Sequence, residues 1–298
     1  MSELQEKVKT SIERLKAFEP DEGYYLAFSG GKDSVVIKAL SDMAGVKYDA
    51  HYRLTSVDPP ELVRFIRDKH SDVDVSIPVY ADGTRKTMWN LIPKKLMPPT
   101  RLVRYCCSEL KEDGGDGRMT ITGVRWAESV NRAKNHGPIT VMSKRTGLED
   151  DPNFRVAKQG GVILVNDNAD SRRMIESCYK RHKTTVNPII DWTDRDVWDF
   201  IRGETIPYCE LYDEGWNRLG CIGCPMARQH SREREFMRWP GYKKLYIRAF
   251  DKMLEEREKR GKMDSSWRSG NTGVDIFRWW MEYDVLPNQL NLEGFDDV

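Results

Sequence analysis

A short apolar run, Tyr24-Tyr25-Leu26-Ala27-Phe28, stops at Ser29-Gly30-Gly31-Lys32-Asp33-Ser34, and helical spacing resumes from Asp33 to Ala44. This junction constrains the chain more than any other feature, because a buried strand must enter a glycine turn and leave it as a helix. Such a turn supplies what a phosphate chain needs. The glycines let backbone N–H groups approach closely, the helix start contributes partial positive charge, and the serine hydroxyls donate hydrogen bonds. Lys32 adds a cation suited to β- and γ-phosphates, and Asp33 is placed to hold Mg²⁺ against them. Ser29, Gly30, Gly31, Lys32, Asp33 and Ser34 are thus the candidate nucleotide-binding residues, with Lys32 and Asp33 also candidate catalytic groups. The lysine follows the two glycines directly, so this is not the Walker spacing.

The strand–helix alternation continues. Leu4, Val8, Ile12 and Leu15 predict an amphipathic helix over the first eighteen residues. After the glycine loop, Tyr48 to Leu54 reads as strand, Pro60 to His70 as helix, Val73 to Tyr80 as strand, Thr84 to Leu91 as helix and Met119 to Val124 as strand. Alternation of this kind implies an α/β fold with a doubly wound, mainly parallel sheet, whose ligands sit beyond the carboxyl ends of the strands. The Gly123-Val124-Arg125 segment lies at one such strand end, so Arg125 is expected in the same crevice as the glycine loop, with Gly123 and Arg125 nucleotide-binding and Arg125 also catalytic. Arg132 is a further candidate phosphate ligand, and Glu128 is expected to anchor the loop between them.

Periodicity is poor from Lys134 to Asp170, where a loop-rich insertion or hairpin is expected. Order returns at Val186-Asn187-Pro188-Ile189-Ile190, and Thr193 with Asp196 marks a helix start. The expected division is a nucleotide-binding domain over 1–225 and a helical C-terminal region over 226–298 packed on it.

Hydrophobic residues make up 39% of the 298-residue chain and charged residues 32%, a balance that excludes wholesale disorder. No apolar run reaches the roughly 20 residues that span a bilayer, and the charged start is unlike a signal peptide, so no membrane partner and a cytoplasmic location are expected. A formal net charge of +1 announces no nucleic acid; local patches must do so. Residues 225–262 hold twelve Lys/Arg against six Asp/Glu, a net of +6, with Trp239, Tyr242 and Tyr246 among them. This stretch and the basic 171–183 are the candidate nucleic-acid surface.

The cysteines stand at 106, 107, 178, 209, 221 and 224. Cys221-Ile222-Gly223-Cys224 is a chelate turn, and with the tandem Cys106-Cys107 it makes a four-thiolate set. Adjacent cysteines splay apart, which suits two irons of a [4Fe–4S] cluster better than one tetrahedral zinc, although zinc and free thiols remain alternatives. Cys178 and Cys209 read as small buried residues, with Cys178 alternatively a thiolate activated by its basic neighbours.

The Ser29–Ser34 loop resembles the signature of the ATP-pyrophosphatase (PP-loop) branch of the adenine nucleotide alpha hydrolases. Arg104–Lys111, Thr122–Arg132 and Asn187–Ile201 narrow the resemblance to the phosphoadenosine phosphosulfate (PAPS) reductase-like family, and within it to iron–sulfur members such as DNA phosphorothioation sulfur-transfer proteins. That resemblance implies a [4Fe–4S] cluster on cysteines of this type. It also implies ATP·Mg²⁺ as ligand, adenylylation with sulfur transfer to a nucleic-acid acceptor, and a protein sulfur donor. The reductases of the family use a cysteine in a C-terminal Glu-Cys-Gly motif, which is missing from the closing N-Q-L-N-L-E-G-F-D-D-V. Sulfonucleotide reduction and a non-catalytic ATP-binding regulator or assembly subunit are therefore the alternatives.

Overall fold

The computed structural model describes residues 2–111, 114–115, 117–142, 152, 154–157, 162–164, 183–262 and 270–282. Cys178, the basic stretch 171–182, much of the 134–170 segment and the chain's last sixteen residues lie outside them.

An eight-stranded sheet has the order β3-β2-β1-β4-β8-β5-β7-β6. Its strands are β1 Tyr24–Ala27, β2 Tyr48–Arg53, β3 Asp74–Ser76, β4 Thr120–Ile121, β5 Ile139–Met142, β6 Phe154–Val156, β7 Val162–Leu164 and β8 Lys183–Val186. β1 runs parallel to β2 and β4, with Leu26 opposite Ala50 and Ile121, and β4 runs parallel to β8. The expected parallel core is therefore present. The segment expected as a loop-rich insertion or hairpin contains strands that extend the sheet: β5 pairs antiparallel with β8 and β7, and β7 with β6. Val162, Ile163 and Leu164 are all buried, so this short apolar run is a sheet strand.

Contacts divide the chain into two units, one of 1–52, 60–75 and 114–219, the other of 53–59, 76–113 and 220–298. This differs from the expected 1–225 and 226–298, because C-terminal helices cannot bury their apolar stripes alone and recruit two earlier segments.

In the first unit, α1 Glu3–Ala17 opens with a Ser2/Gln5 capping box and packs on α2 Lys32–Ala44. The Trp192 indole N–H donates to Ser11 Oγ, and Lys7 pairs with Asp196, fastening α1 to α7 Asp194–Gly203 and to the turn before it. α3 Pro60–Lys69 and the short α6 Val130–Asn135 complete the unit's α-helices among the described residues.

The second unit contains α4 Met88–Lys95, α5 Tyr105–Leu110, α8 Gln229–Arg238, α9 Pro240–Lys259 and α10 Gly273–Glu282. α4 starts later than the pattern predicts because Thr87 and Asn90 form its capping box. α9 packs on α4, α8 and α10. Trp280 sits at the middle of an aromatic core, 4.8 Å from Tyr246 and 5.5 Å from Phe250 between ring centroids, with Arg232 4.1 Å over its face. Among the described residues no helix is long and apolar enough to cross a membrane.

Candidate functional site

The loop after β1 is built around two glycines with different duties. Gly30 has φ +71°, and a Cβ there would stand 2.7 Å from Leu62 Cδ1 and 2.8 Å from Ile66 Cδ1, so α3 closes against bare backbone. Gly31 is the N-cap of α2 at φ −76°, where a Cβ would meet only the Ser29 and Tyr212 hydroxyls at 3.4 Å. The fold tolerates a side chain at Gly31; a ligand approaching the loop would not. At the start of α2 the Lys32 N–H donates to Tyr212 Oη at 2.8 Å, and the Ser34 N–H turns back to Gly31 O. The N–H groups of Gly30 and Asp33 have no acceptor among the described residues. Ser34 Oγ donates to Gly31 O and Ser29 Oγ to Ser34 Oγ, so the serines brace the loop as it stands.

Lys32 is buried, and its ammonium lies 3.3 Å from Asp194 Oδ1, 3.7 Å from Asp33 Oδ2 and 3.5 Å from the Asn217 carbonyl. It is a held cation. Arg125, only 1% exposed, donates through Nε to Asp33 at 2.7 Å, through Nη2 to Asp194 at 2.7 Å and through Nη1 to the Trp192 carbonyl. Burial works against its charge, but the two carboxylates raise its pKa all the same. Burial pushes the Asp194 carboxyl up, and Lys32 and Arg125 outweigh this to hold it below its usual range. Two cations and two carboxylates thus form one neutral web beneath the loop. Gly123 makes it possible: a Cβ there would come within 3.0 Å of Asp33 Cβ and 3.2 Å of its backbone. Glu128 accepts the Arg125 backbone N–H and pairs with Arg132, which anchors this loop.

The four cysteines singled out above fall together in the second unit. Cys106 and Cys107 occupy the first turn of α5, and the Cys106 thiol is raised first by its bond to Cys107, then by burial and by the charges of Cys107, Cys221 and Cys224. The Cys221–Cys224 turn is cast by its surroundings: Gly223 has φ +72°, and a Cβ there would lie 2.7 Å from Phe236 Cζ. Its N–H donates to Glu235 at 2.6 Å, Tyr246 Oη donates to Ile222 O, and the Ile222 N–H donates to Val57 O. Thr55 Oγ1 lies 3.6 Å from Cys221 Sγ, and the Lys111 ammonium is raised first by the charge of Cys221. Among the described residues no three or more His, Cys, Asp or Glu side chains form a single-ion site. A cubane makes a different demand, since each of its thiolates binds a separate iron and the four stand further apart. Four neighbouring thiols on a braced turn and a helix start fit that group in kind and number.

Residues 23–227 match the phosphoadenosine phosphosulfate reductase domain. The chain belongs to this family. An uncharacterised protein of Methanocaldococcus jannaschii is 25% identical over 271 residues, covering 89% of this chain and 52% of its own length. The chain spans about half the length of the first curated relatives it matches. The adenosine 5′-phosphosulfate reductase of Pseudomonas aeruginosa (strain LESB58) is 28% identical over 221 residues, 70% of each chain. Among solved structures, PAPS reductase from Candida auris overlaps 74% of this chain and 96% of its own at 15% identity and a TM-score of 0.44.

Within this PAPS reductase domain, the structure brings Lys32, Asp33, Gly123 and Arg125 together, while Arg132 is turned to Glu128. Arg125 spends its planar fork on Asp33 and Asp194, where an open phosphate ligand was expected. Asp194, Tyr212 and Asn217 were not singled out from the sequence. Asp194 does stand in the Asn187–Ile201 stretch, at the first position of a capped helix. Nothing marks Tyr212, which reaches Lys32 across 180 residues. Trp239 and Tyr246, offered as stacking rings, are 7% and 1% exposed and belong to the second unit's core.

Proposed function

We propose that this PAPS reductase-family domain binds ATP·Mg²⁺ at the loop after β1 and adenylylates an acceptor. The observation that carries the reading is the pair of unclaimed N–H groups, Gly30 and Asp33, at a strand tip and helix start beside a held lysine. These donors and Lys32 would take the phosphate oxygens, and Gly31 keeps the approach open. An acceptor oxygen attacks the α-phosphorus, the bond to the β-phosphate oxygen breaks, and pyrophosphate leaves with the electron pair. Hydrosulfide from a sulfur donor then attacks the acceptor atom that bears this oxygen, the bond from that atom to the oxygen breaks, and AMP leaves with the electron pair. Mg²⁺ held against Asp33 would neutralise charge on the departing pyrophosphate. Arg125 acts as a positioning residue, holding Asp33 and Asp194 in place.

A [4Fe–4S] cluster on Cys106, Cys107, Cys221 and Cys224 would supply a structural or electron-transfer centre. Iron and zinc content and visible absorbance of an anaerobic preparation test it: four cysteines around zinc are colourless, around an iron cluster brown. A nucleic-acid acceptor is supported by Lys244, Arg248 and Lys252, exposed at i, i+4 and i+8 on α9 with no acidic partner among the described residues.

The test of the main reading is release of pyrophosphate from labelled ATP, with single-stranded DNA and RNA as acceptors and sulfide as donor. A second reading, sulfonucleotide reduction, is favoured by the 28% identity to the Pseudomonas aeruginosa enzyme. Sulfite release from adenylyl sulfate, without pyrophosphate release from ATP, would replace the first reading with it.

A further inference from the structure

Beside Lys32, on the side of α7 and the turn Glu210–Tyr212, the first unit holds a cavity of about 530 Å³. Its volume lies in the range of small-molecule sites, roughly 300–1,000 Å³. Its walls are unusual in containing no aliphatic side chain. Trp198 meets Tyr208 and Tyr212 at near right angles, 84° and 81°, with ring centroids 5.3 and 5.1 Å apart, so the rings frame a concave corner. Trp216, 9% exposed, is a fourth ring.

Two cations stand among the rings: Lys32, held by Asp194 and Asp33, and Arg202, whose guanidinium lies 5.7 Å from the Trp198 ring and pairs only loosely, at 3.9 Å, with the exposed Asp199 carboxylate. Of the carboxylates there, Asp194 is paired with Arg125 and Lys32, and Asp213 accepts a hydrogen bond from the Tyr208 hydroxyl at 3.0 Å. A cationic ligand would meet Lys32 and Arg202, and an aliphatic one would find no matching wall. Flat rings suit a flat ring, the Asn217 amide can read a heterocycle's polar edge, and the cations suit an anion.

We propose that this cavity seats the acceptor of the adenylylation, binding a planar heterocyclic ring that carries a phosphate, either a free mononucleotide or one nucleotide of a strand. The inference rests on the ATP-binding reading, since it places the acceptor in a cavity that borders the same loop.

Calorimetry and tryptophan fluorescence on the full chain, saturated with a non-hydrolysable ATP analogue, test it with nucleoside 5′-monophosphates and with a short single-stranded oligonucleotide. Trp198→Ala should weaken binding of the second ligand roughly ten-fold, within the range for loss of one stacking ring. The affinity for the ATP analogue should stay within about two-fold. Tyr208→Ala is the second variant, should Trp198→Ala fail to fold, and Arg202→Met should weaken the monophosphates while sparing the matching nucleosides. Binding of mononucleotides identifies a small-molecule acceptor; binding of the oligonucleotide alone identifies a strand. If neither ring variant changes second-ligand binding, or if both weaken the ATP analogue equally, the cavity is not the acceptor's and the inference falls while the ATP reading stands. If the unmodified protein gives no heat with the ATP analogue, the parent reading fails and takes the inference with it.

Discussion

Gly30 and Gly31 look interchangeable as letters, yet they answer to different constraints. Gly30→Ala drives a methyl into Leu62 and Ile66 at a positive φ, so it should lower the denaturation midpoint measurably. Gly31→Ala should leave the midpoint nearly unchanged and weaken ATP binding, as calorimetry would register. Arg125 makes the opposite case. Arg125→Met leaves Asp33 and Asp194 without their cation and should cost roughly 3 kcal/mol, the low end for breaking a buried pair because Asp194 is largely exposed. Urea unfolding would measure it, and an unchanged midpoint would mean the web carries no stability. The glycine loop was legible because strand, turn and helix are contiguous, from Tyr24 to Ala44. The web was not, because Arg125 meets Asp33 across 92 residues and Asp194 across 69. A motif search flags an arginine as a phosphate ligand without showing that carboxylates have claimed it.

At the scale of elements, α7 links the loop's charge web to the aromatic cavity, carrying Asp194 at its start and Trp198 one turn later. Its N-terminus depends on the Thr193 hydroxyl, which accepts from the Asp196 N–H while the Asp196 carboxylate accepts from the Thr193 N–H. Thr193→Ala should cost about 1 kcal/mol of stability and weaken ATP binding together, because Asp194 follows the cap directly. This helix was readable from Thr193 and Asp196. The antiparallel strands β5, β6 and β7 were not, since each is three or four residues long and periodicity over so few residues carries little information. The cysteine turn was readable as a chelate, but its casting was not: Gly223 is required by Phe236, Tyr246 and Trp280, which come from three different helices.

For the whole molecule, Glu235 is one source of pH-dependent stability. Burial pushes the Glu235 carboxyl up to about 7, against the Gly223 N–H and Arg232, which favour its charged form. Its folded pKa is thus above the unfolded value of about 4.5, so the stability it contributes is complete below pH 4.5 and is lost as pH rises toward 7. Glu235→Gln keeps an acceptor for Gly223 without the titration. Urea midpoints at pH 5 and pH 8 should differ less in this variant than in the unmodified protein, and an equal difference would show that Glu235 titrates normally. The boundary expected at 225 follows composition along the chain, whereas the second unit is assembled from three stretches of it.

That threading bears on how the protein is made. On a ribosome, 53–59 and 76–113 emerge about a hundred residues before the stretch that completes their unit, an interval on the order of ten seconds at ordinary elongation speed. During that time Leu91 and Ile92, both fully buried in the finished protein, have no α9 to cover them. Nascent chains of this protein should therefore engage holding chaperones early, and slower translation between codons 114 and 219 should lengthen that engagement.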